Sequence, residues 1–148
     1  MKIYLDTSVI SALFDDKNPE RKALTEEFFS KIGDYDAYIS ELTVVEMEKT
    51  PDQTLRSKMK QTIKGFSVLE INESVEELAA EYVRYGAVPV SYREDAYHIA
   101  VAVLNEMDYL LSWNFRHIVR RRTKDVVRMV NTLRNLKQLE IITPGELL

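Results

Sequence analysis

Apolar positions along this chain alternate between two spacings. Five short runs have the composition of strands: "KIYL" (2–5), "DAYIS" (36–40), "SVLEI" (67–71), "DYLLSW" (108–113) and "LEIIT" (139–143). Between them the spacing becomes helical. "VISALF" follows the first run directly. Leu24, Phe28 and Ile32 recur every four residues, and Gly33 stops that stripe. Leu55, Met59 and Ile63 form a second stripe inside the basic stretch "TLRSKMKQTIKGF". Val75, Leu78, Ala79, Tyr82 and Val83 share one face of a third helix, ended by Gly86. "AVPV" reads as a loop, and a basic helix is expected from about Ile118 to Leu136.

Capping residues mark the boundaries. Asn18 precedes Pro19, Asn72 precedes the third stripe, and Ser40 precedes "ELTVVEMEK", which Pro51 breaks. Ser91 and Glu94 have the spacing of a capping box ahead of "DAYHIAVAVLNEM". Thr143, Pro144 and Glu146 open a short terminal helix. Strands alternating with helices imply right-handed crossovers, so the expected fold class is α/β with a parallel sheet covered on both faces. Ligands in such folds bind at the carboxyl ends of the strands.

With 148 residues, one domain over 1–148 is expected. No apolar run is long enough to span a bilayer. "MKIYLDTSV" carries an acid at position six and lacks the apolar core of a signal peptide. Cysteine is absent, which excludes disulfides and thiolate metal sites, and the expected location is a reducing cytoplasm. The net charge of −4 is unevenly spread. Residues 1–100 carry 12 Lys/Arg against 19 Asp/Glu, a balance of −7, whereas residues 101–148 carry 8 against 5, a balance of +3. An acidic body with a basic last third has room for a cation in one place and a polyanion in another.

The strand-end rule selects a short set of residues. Asp6 follows the first run. Glu46, like Glu41, lies in the helix after the second, with Leu42 and Val45 expected to be buried beside it. Asn114 follows the fourth, and Asp95 opens the helix leading into it. Each has an ordinary explanation: Asp6 as a helix cap, Asp95 as an acid near a helix N-terminus, Glu46 as an edge-of-core acid. Together they are three carboxylates and an amide. Convergent carboxylates stay ionised only beside a cation, and oxygen donors without cysteine suit Mg²⁺ or Mn²⁺. The chemistry that follows is metal-assisted hydrolysis of a phosphodiester.

Neighbouring residues fill out this picture. The hydroxyls of Thr7 and Ser8 face a metal-bound water, Asp6 or the helix end, and Thr7 is a candidate substrate contact. His98 lies one turn after Asp95 and reads as a satisfied core-edge histidine rather than a base. Arg116 and His117 stand just past Asn114 as candidate substrate contacts, with Arg120, Arg121, Arg122 and Lys124 beyond them as either a phosphate rim or a solvated helix face. Trp113, Phe115 and Tyr92 are aromatics able to stack on bases, with Phe115 expected in the core.

"IYLDTSVI", "ISELTVVEMEK", "EDAYHIAVAVLNEMDYLLSWNFRHI" and "EIITPGELL", in that order from residue 2 to the C-terminus, resemble a PIN domain, the nuclease fold of VapC-type toxins. The resemblance implies a Rossmann-like α/β/α sandwich with a five-stranded parallel sheet. It implies a metal-dependent endoribonuclease in which Asp6, Glu46 and Asp95 hold Mg²⁺ or Mn²⁺ and Asn114 completes the catalytic set. It also implies a small antitoxin that occludes the site, and a homodimer. Asn114 departs from the pattern, since many PIN domains have Asp after the fourth strand; one charge fewer weakens the hold on a second metal. The stripe Leu55, Met59, Ile63 is either core or, where exposed, a groove for a partner helix. Two other classes compete: a PIN-fold RNA- or protein-binding module with little catalysis, favoured by Asn114, and a phosphoacceptor domain. The latter lacks the required acids after the first and third strands.

Overall fold

The computed structural model describes residues 1–148. Five strands form one sheet: β1 (Lys2–Leu5), β2 (Asp36–Ser40), β3 (Ser67–Leu69), β4 (Tyr109–Leu111) and β5 (Glu140–Ile142). Their order is β3-β2-β1-β4-β5 and every pairing is parallel. The helices between them are α1 (Thr7–Ala12), α2 (Pro19–Ser30), α3 (Glu41–Glu48), α4 (Gln53–Ile63), α5 (Glu73–Arg84), α6 (Arg93–Leu104) and α7 (Arg121–Leu133), with 3₁₀ turns at Ile32–Asp34, Val90–Tyr92 and Pro144–Leu147. This is the expected α/β sandwich. No helix is long and apolar enough to cross a membrane.

Alternation along the strands divides the core. Tyr4 registers with Leu110, and Leu110 with Ile141; these face α5, α6 and α7. Ile3, Leu5, Ile39 and Leu111 point to the other face, against α1, Phe28 of α2, Met47 of α3 and Met59 of α4. Because both faces are covered, Ile3, Tyr4 and Leu5 of β1 and Leu110 and Leu111 of β4 are buried in succession, whichever face they point to. Leu55 and Ile63 pack beside Met59 in this second half, so the α4 stripe is core.

Several caps form as expected. Asn18 accepts the Arg21 N–H, Asn72 accepts the Val75 N–H, and Glu146 accepts the Thr143 N–H. Others differ. Ser40 occupies the N-cap of α3, but its hydroxyl meets the Tyr4 hydroxyl instead of the helix. Ser91 is absorbed into a 3₁₀ turn and Tyr92 becomes the N-cap of α6, so no capping box forms. The basic helix begins at Arg121, three residues later than expected, because Asn114 holds the preceding segment in a turn. In α3, Thr43 and Met47 turn inward while Val45 is exposed, contrary to the expectation for Val45. Gly86 ends α5 at φ +84°, a conformation that side chains rarely adopt.

Candidate active site

β1, β2 and β4 end on the same edge of the sheet, and the residues that follow them meet there. Asp6 comes directly off β1 and is only 3% exposed. It sits at the N-cap of α1, yet its side chain makes no cap hydrogen bond. It accepts instead from two serines: Ser8 Oγ donates to Oδ1 at 2.5 Å and Ser112 Oγ to Oδ2 at 2.6 Å. The same serines accept backbone N–H groups from the end of β4. Trp113 N–H donates to Ser8 Oγ, and Asn114 N–H to Ser112 Oγ, each at 2.9 Å. Asp6 is thus locked to the β4 exit by hydroxyl relays, and the helix-cap explanation of this acid does not apply.

Glu46 projects from α3 and is held at Oε1. Thr7 Oγ1 donates to it at 2.6 Å and His98 Nε2 at 2.7 Å. His98 is buried; its Nδ1 lies 2.6 Å from the Tyr4 hydroxyl, which lies 2.8 Å from Ser40 Oγ. One imidazole therefore links the core of the sheet to Glu46. Asp95, in the first turn of α6, has His117 Nδ1 at 3.1 Å from Oδ2. Tyr92 covers the His117 ring at a centroid separation of 4.2 Å.

The two expected substrate contacts Thr7 and His117 are each engaged with a carboxylate, Thr7 with Glu46 and His117 with Asp95. Arg116 is exposed and makes no side-chain hydrogen bond or ion pair. Asn114 Oδ1 accepts the His117 N–H at 2.9 Å, and its backbone carbonyl accepts from Ile118 and Val119. One lone pair of the amide oxygen thus closes the turn that aims His117 at Asp95. Asn114→Ala is expected to lower stability by about 1 kcal/mol, the usual worth of such a cap, measured by urea unfolding.

The surroundings set the charge states. Burial pushes the Asp6 carboxyl up, against the nearby His98 and the serine hydrogen bonds. Burial likewise raises Asp95, against His98 and His117, with Glu46 adding to the rise. Burial also pushes Glu46 up, but the His98 hydrogen bond and charge outweigh it, and the carboxyl is held below its usual range. His98 is raised in return: burial opposes its charge, and the contact with Glu46 prevails. Two acids of this cluster therefore resist ionisation with the partners they have.

That is the environment a cation would change. Glu46 Oε2 and Asp95 Oδ1 carry no hydrogen bond, and Asp6 offers further lone pairs. The donors are all hard oxygens, so the set fits Mg²⁺ or Mn²⁺ chemically. No three acids or histidines stand close enough together to hold a metal ion as the side chains lie. Mutual repulsion opposes a closer approach of the acids until a cation offsets it.

The family model for the PIN domain matches residues 3–120. The chain belongs to the PIN domain family. Among solved structures, this PIN domain resembles Mycobacterium tuberculosis VapC20, a sarcin-ricin loop cleaving toxin, at 17% identity and a TM-score of 0.62 over 78% of this chain and 92% of that one. It also resembles VapBC2 from Rickettsia felis, bound to a DNA fragment from its promoter, at 12% identity and a TM-score of 0.59 over 95% of this chain and 97% of that one. At these identities the likeness concerns the fold. A comparison with curated proteins finds no match.

Three features of this PIN domain escape the sequence-level reading. Ser112 and Tyr4 look like ordinary strand residues, although the strand-end rule that selects Asn114 applies equally to Ser112. Trp113 is the buried aromatic, with its Nε1–H donating to Thr25 Oγ1, whereas Phe115 is 50% exposed; the expected core position of Phe115 is overturned. Of the basic cluster after the site, Arg120 donates to the Ala87 carbonyl and Arg122 to the Gly86 carbonyl, pinning the α5–α6 connection. Arg121 lies 3.6 Å from Asp125. A rim built from all of these arginines is therefore not available.

Proposed function

We propose that this PIN domain is a metal-dependent endoribonuclease and the toxin of a toxin–antitoxin pair. The observation that supports the reading is the placement of the three acids: Asp6 directly after β1, Glu46 on α3 after β2, and Asp95 in the first turn of α6, one turn before the His98 that is bonded to Glu46. The acids come from distant segments, and each has its own positioning partner. Catalytic function is assigned to Asp6, Glu46 and Asp95 as ligands of Mg²⁺ or Mn²⁺. A bound divalent ion would supply positive charge to a phosphoryl oxygen and acidify a water.

The remaining residues hold this set in place. Thr7 and His98 fix Glu46, and both Glu46 contacts fall on Oε1, leaving Oε2 directed elsewhere. His117 fixes Asp95, and Asn114 fixes His117, so Asn114 is a positioning residue. Arg116, exposed and unpaired, is assigned to a substrate phosphate. His98 is too enclosed to reach a substrate, and its part is to orient Glu46. A small antitoxin protein is the proposed partner, a homodimer the proposed assembly, the cytoplasm the proposed location and residues 1–148 the proposed single domain.

A non-catalytic RNA- or protein-binding module is favoured by one observation, the uncharged Asn114 after β4, whose amide oxygen helps close a turn. RNA cleavage with Mn²⁺ or Mg²⁺, compared with the same reaction in excess EDTA, separates the readings. Cleavage that requires the ion supports the nuclease. Cleavage that persists in EDTA removes the metal mechanism, and RNA binding without cleavage under any ion favours the module.

A further inference from the structure

Beside the acids stands a cluster that the catalytic reading does not use. Phe115 directly follows Asn114 and is 50% exposed, although it is a large apolar ring. It leans on Trp113 at a centroid separation of 6.2 Å and 60° between planes. Trp113 is in turn 8% exposed and anchored by its indole N–H to Thr25. The guanidinium of Arg21, from α2, lies 5.2 Å from the Trp113 ring and 5.6 Å from the Phe115 ring. Arg21 makes no ion pair and its side chain no hydrogen bond, so its donors are free. The result is a rigid buried ring supporting an exposed ring, with an unpaired cation against both.

The position matters as much as the chemistry. Ser112, whose hydroxyl touches Asp6, is three residues before Phe115. The intervening chain spans at most about 11 Å. A nucleotide next to a phosphate held at the acids is within reach of this ring. Single-stranded nucleic acid is recognised by aromatic faces that stack on unpaired bases, aided by arginine.

We propose that Phe115, backed by Trp113 and flanked by Arg21, is a stacking platform for an unpaired nucleobase beside the scissile phosphate, with Arg21 contacting the adjoining backbone. This rests on the ribonuclease reading and adds to that site a subsite for one base. Duplex RNA offers no free base face at this position, so the platform selects loops and unpaired segments.

The test is equilibrium binding of a fluorescently labelled single-stranded RNA oligonucleotide of mixed sequence, followed by anisotropy in EDTA so that no cleavage occurs. Phe115→Ala is expected to weaken binding about 5- to 150-fold, the usual range for loss of one base–aromatic stack. Phe115→Trp is expected to restore it, while Phe115→Leu, apolar but without a π face, is not. Arg21→Ala is expected to weaken binding and flatten its salt dependence. The same oligonucleotide annealed to its complement is expected to show no Phe115 effect. Because the ring is half exposed, the melting temperature of Phe115→Ala is expected to match that of the parent protein. RNA bound equally well by the parent, Phe115→Ala and Phe115→Leu overturns the platform and leaves the nuclease reading standing; the exposed ring is then a protein contact. A parent protein that binds no RNA in EDTA overturns the platform, while the nuclease reading stands or falls separately on cleavage with Mn²⁺ or Mg²⁺.

Discussion

Asp6→Asn is expected to reduce RNA cleavage by about a thousandfold or more while leaving the fold at least as stable as before. Under the proposed mechanism the activity loss follows from removing an oxygen donor to a divalent ion that would supply several kcal/mol of charge stabilisation, at about 1.4 kcal/mol per tenfold in rate. The stability expectation follows from burial. Asp6 is 3% exposed, and the partners hydrogen-bonded to its carboxylate oxygens are hydroxyls. An ionised carboxylate there costs free energy that a neutral amide avoids, and serine hydroxyls rotate to suit either. A gain of up to about 1 kcal/mol is expected, read from thermal unfolding of the metal-free protein. A variant that is inactive and also unfolded would show that Asp6 belongs to the architecture rather than the chemistry.

His98→Ala is expected to have the largest effect on the fold among the site residues. The imidazole is 2% exposed and joins Tyr4 in the central strand to Glu46 in α3. Its removal leaves a cavity, worth about 3 kcal/mol for a ring of this size in a core. The Glu46 side chain is 31% exposed, so water compensates most of its lost partner and the additional loss is at most about 1 kcal/mol. Urea unfolding measures the sum. A loss below about 1 kcal/mol would mean that the pocket collapses around the deletion and that His98 does not brace the site.

The contrast between these two residues shows which parts of the molecule can be read in its sequence. The parallel sheet was legible because short apolar runs alternate with helical stripes, and Asn18, Asn72 and Glu146 formed local caps that depend only on neighbours in the chain. The position of Asp6 was legible because it directly follows an apolar run, at the strand end where such sheets bind ligands. The second layer was not. Ser40 and Ser112 carry hydroxyls that satisfy groups far away in sequence, Tyr4 and Asp6, and no local spacing encodes such pairings. Phe115 left its expected place in the core to Trp113 for a similar reason. The indole N–H finds Thr25 of α2, which settles which of two adjacent rings turns inward. His117 and Asn114 were legible as polar residues at the right place, but their direction depended on a turn that only the assembled chain reveals.

The central claim is that Asp6, Glu46 and Asp95 act together on one divalent ion, and calorimetric titration of Mn²⁺ into the protein tests it without any choice of RNA. Saturable binding is expected for the parent protein, weakened at least about tenfold in Glu46→Gln and in Asp95→Asn. Absence of binding in the parent, or equal affinity in all three, would contradict the account.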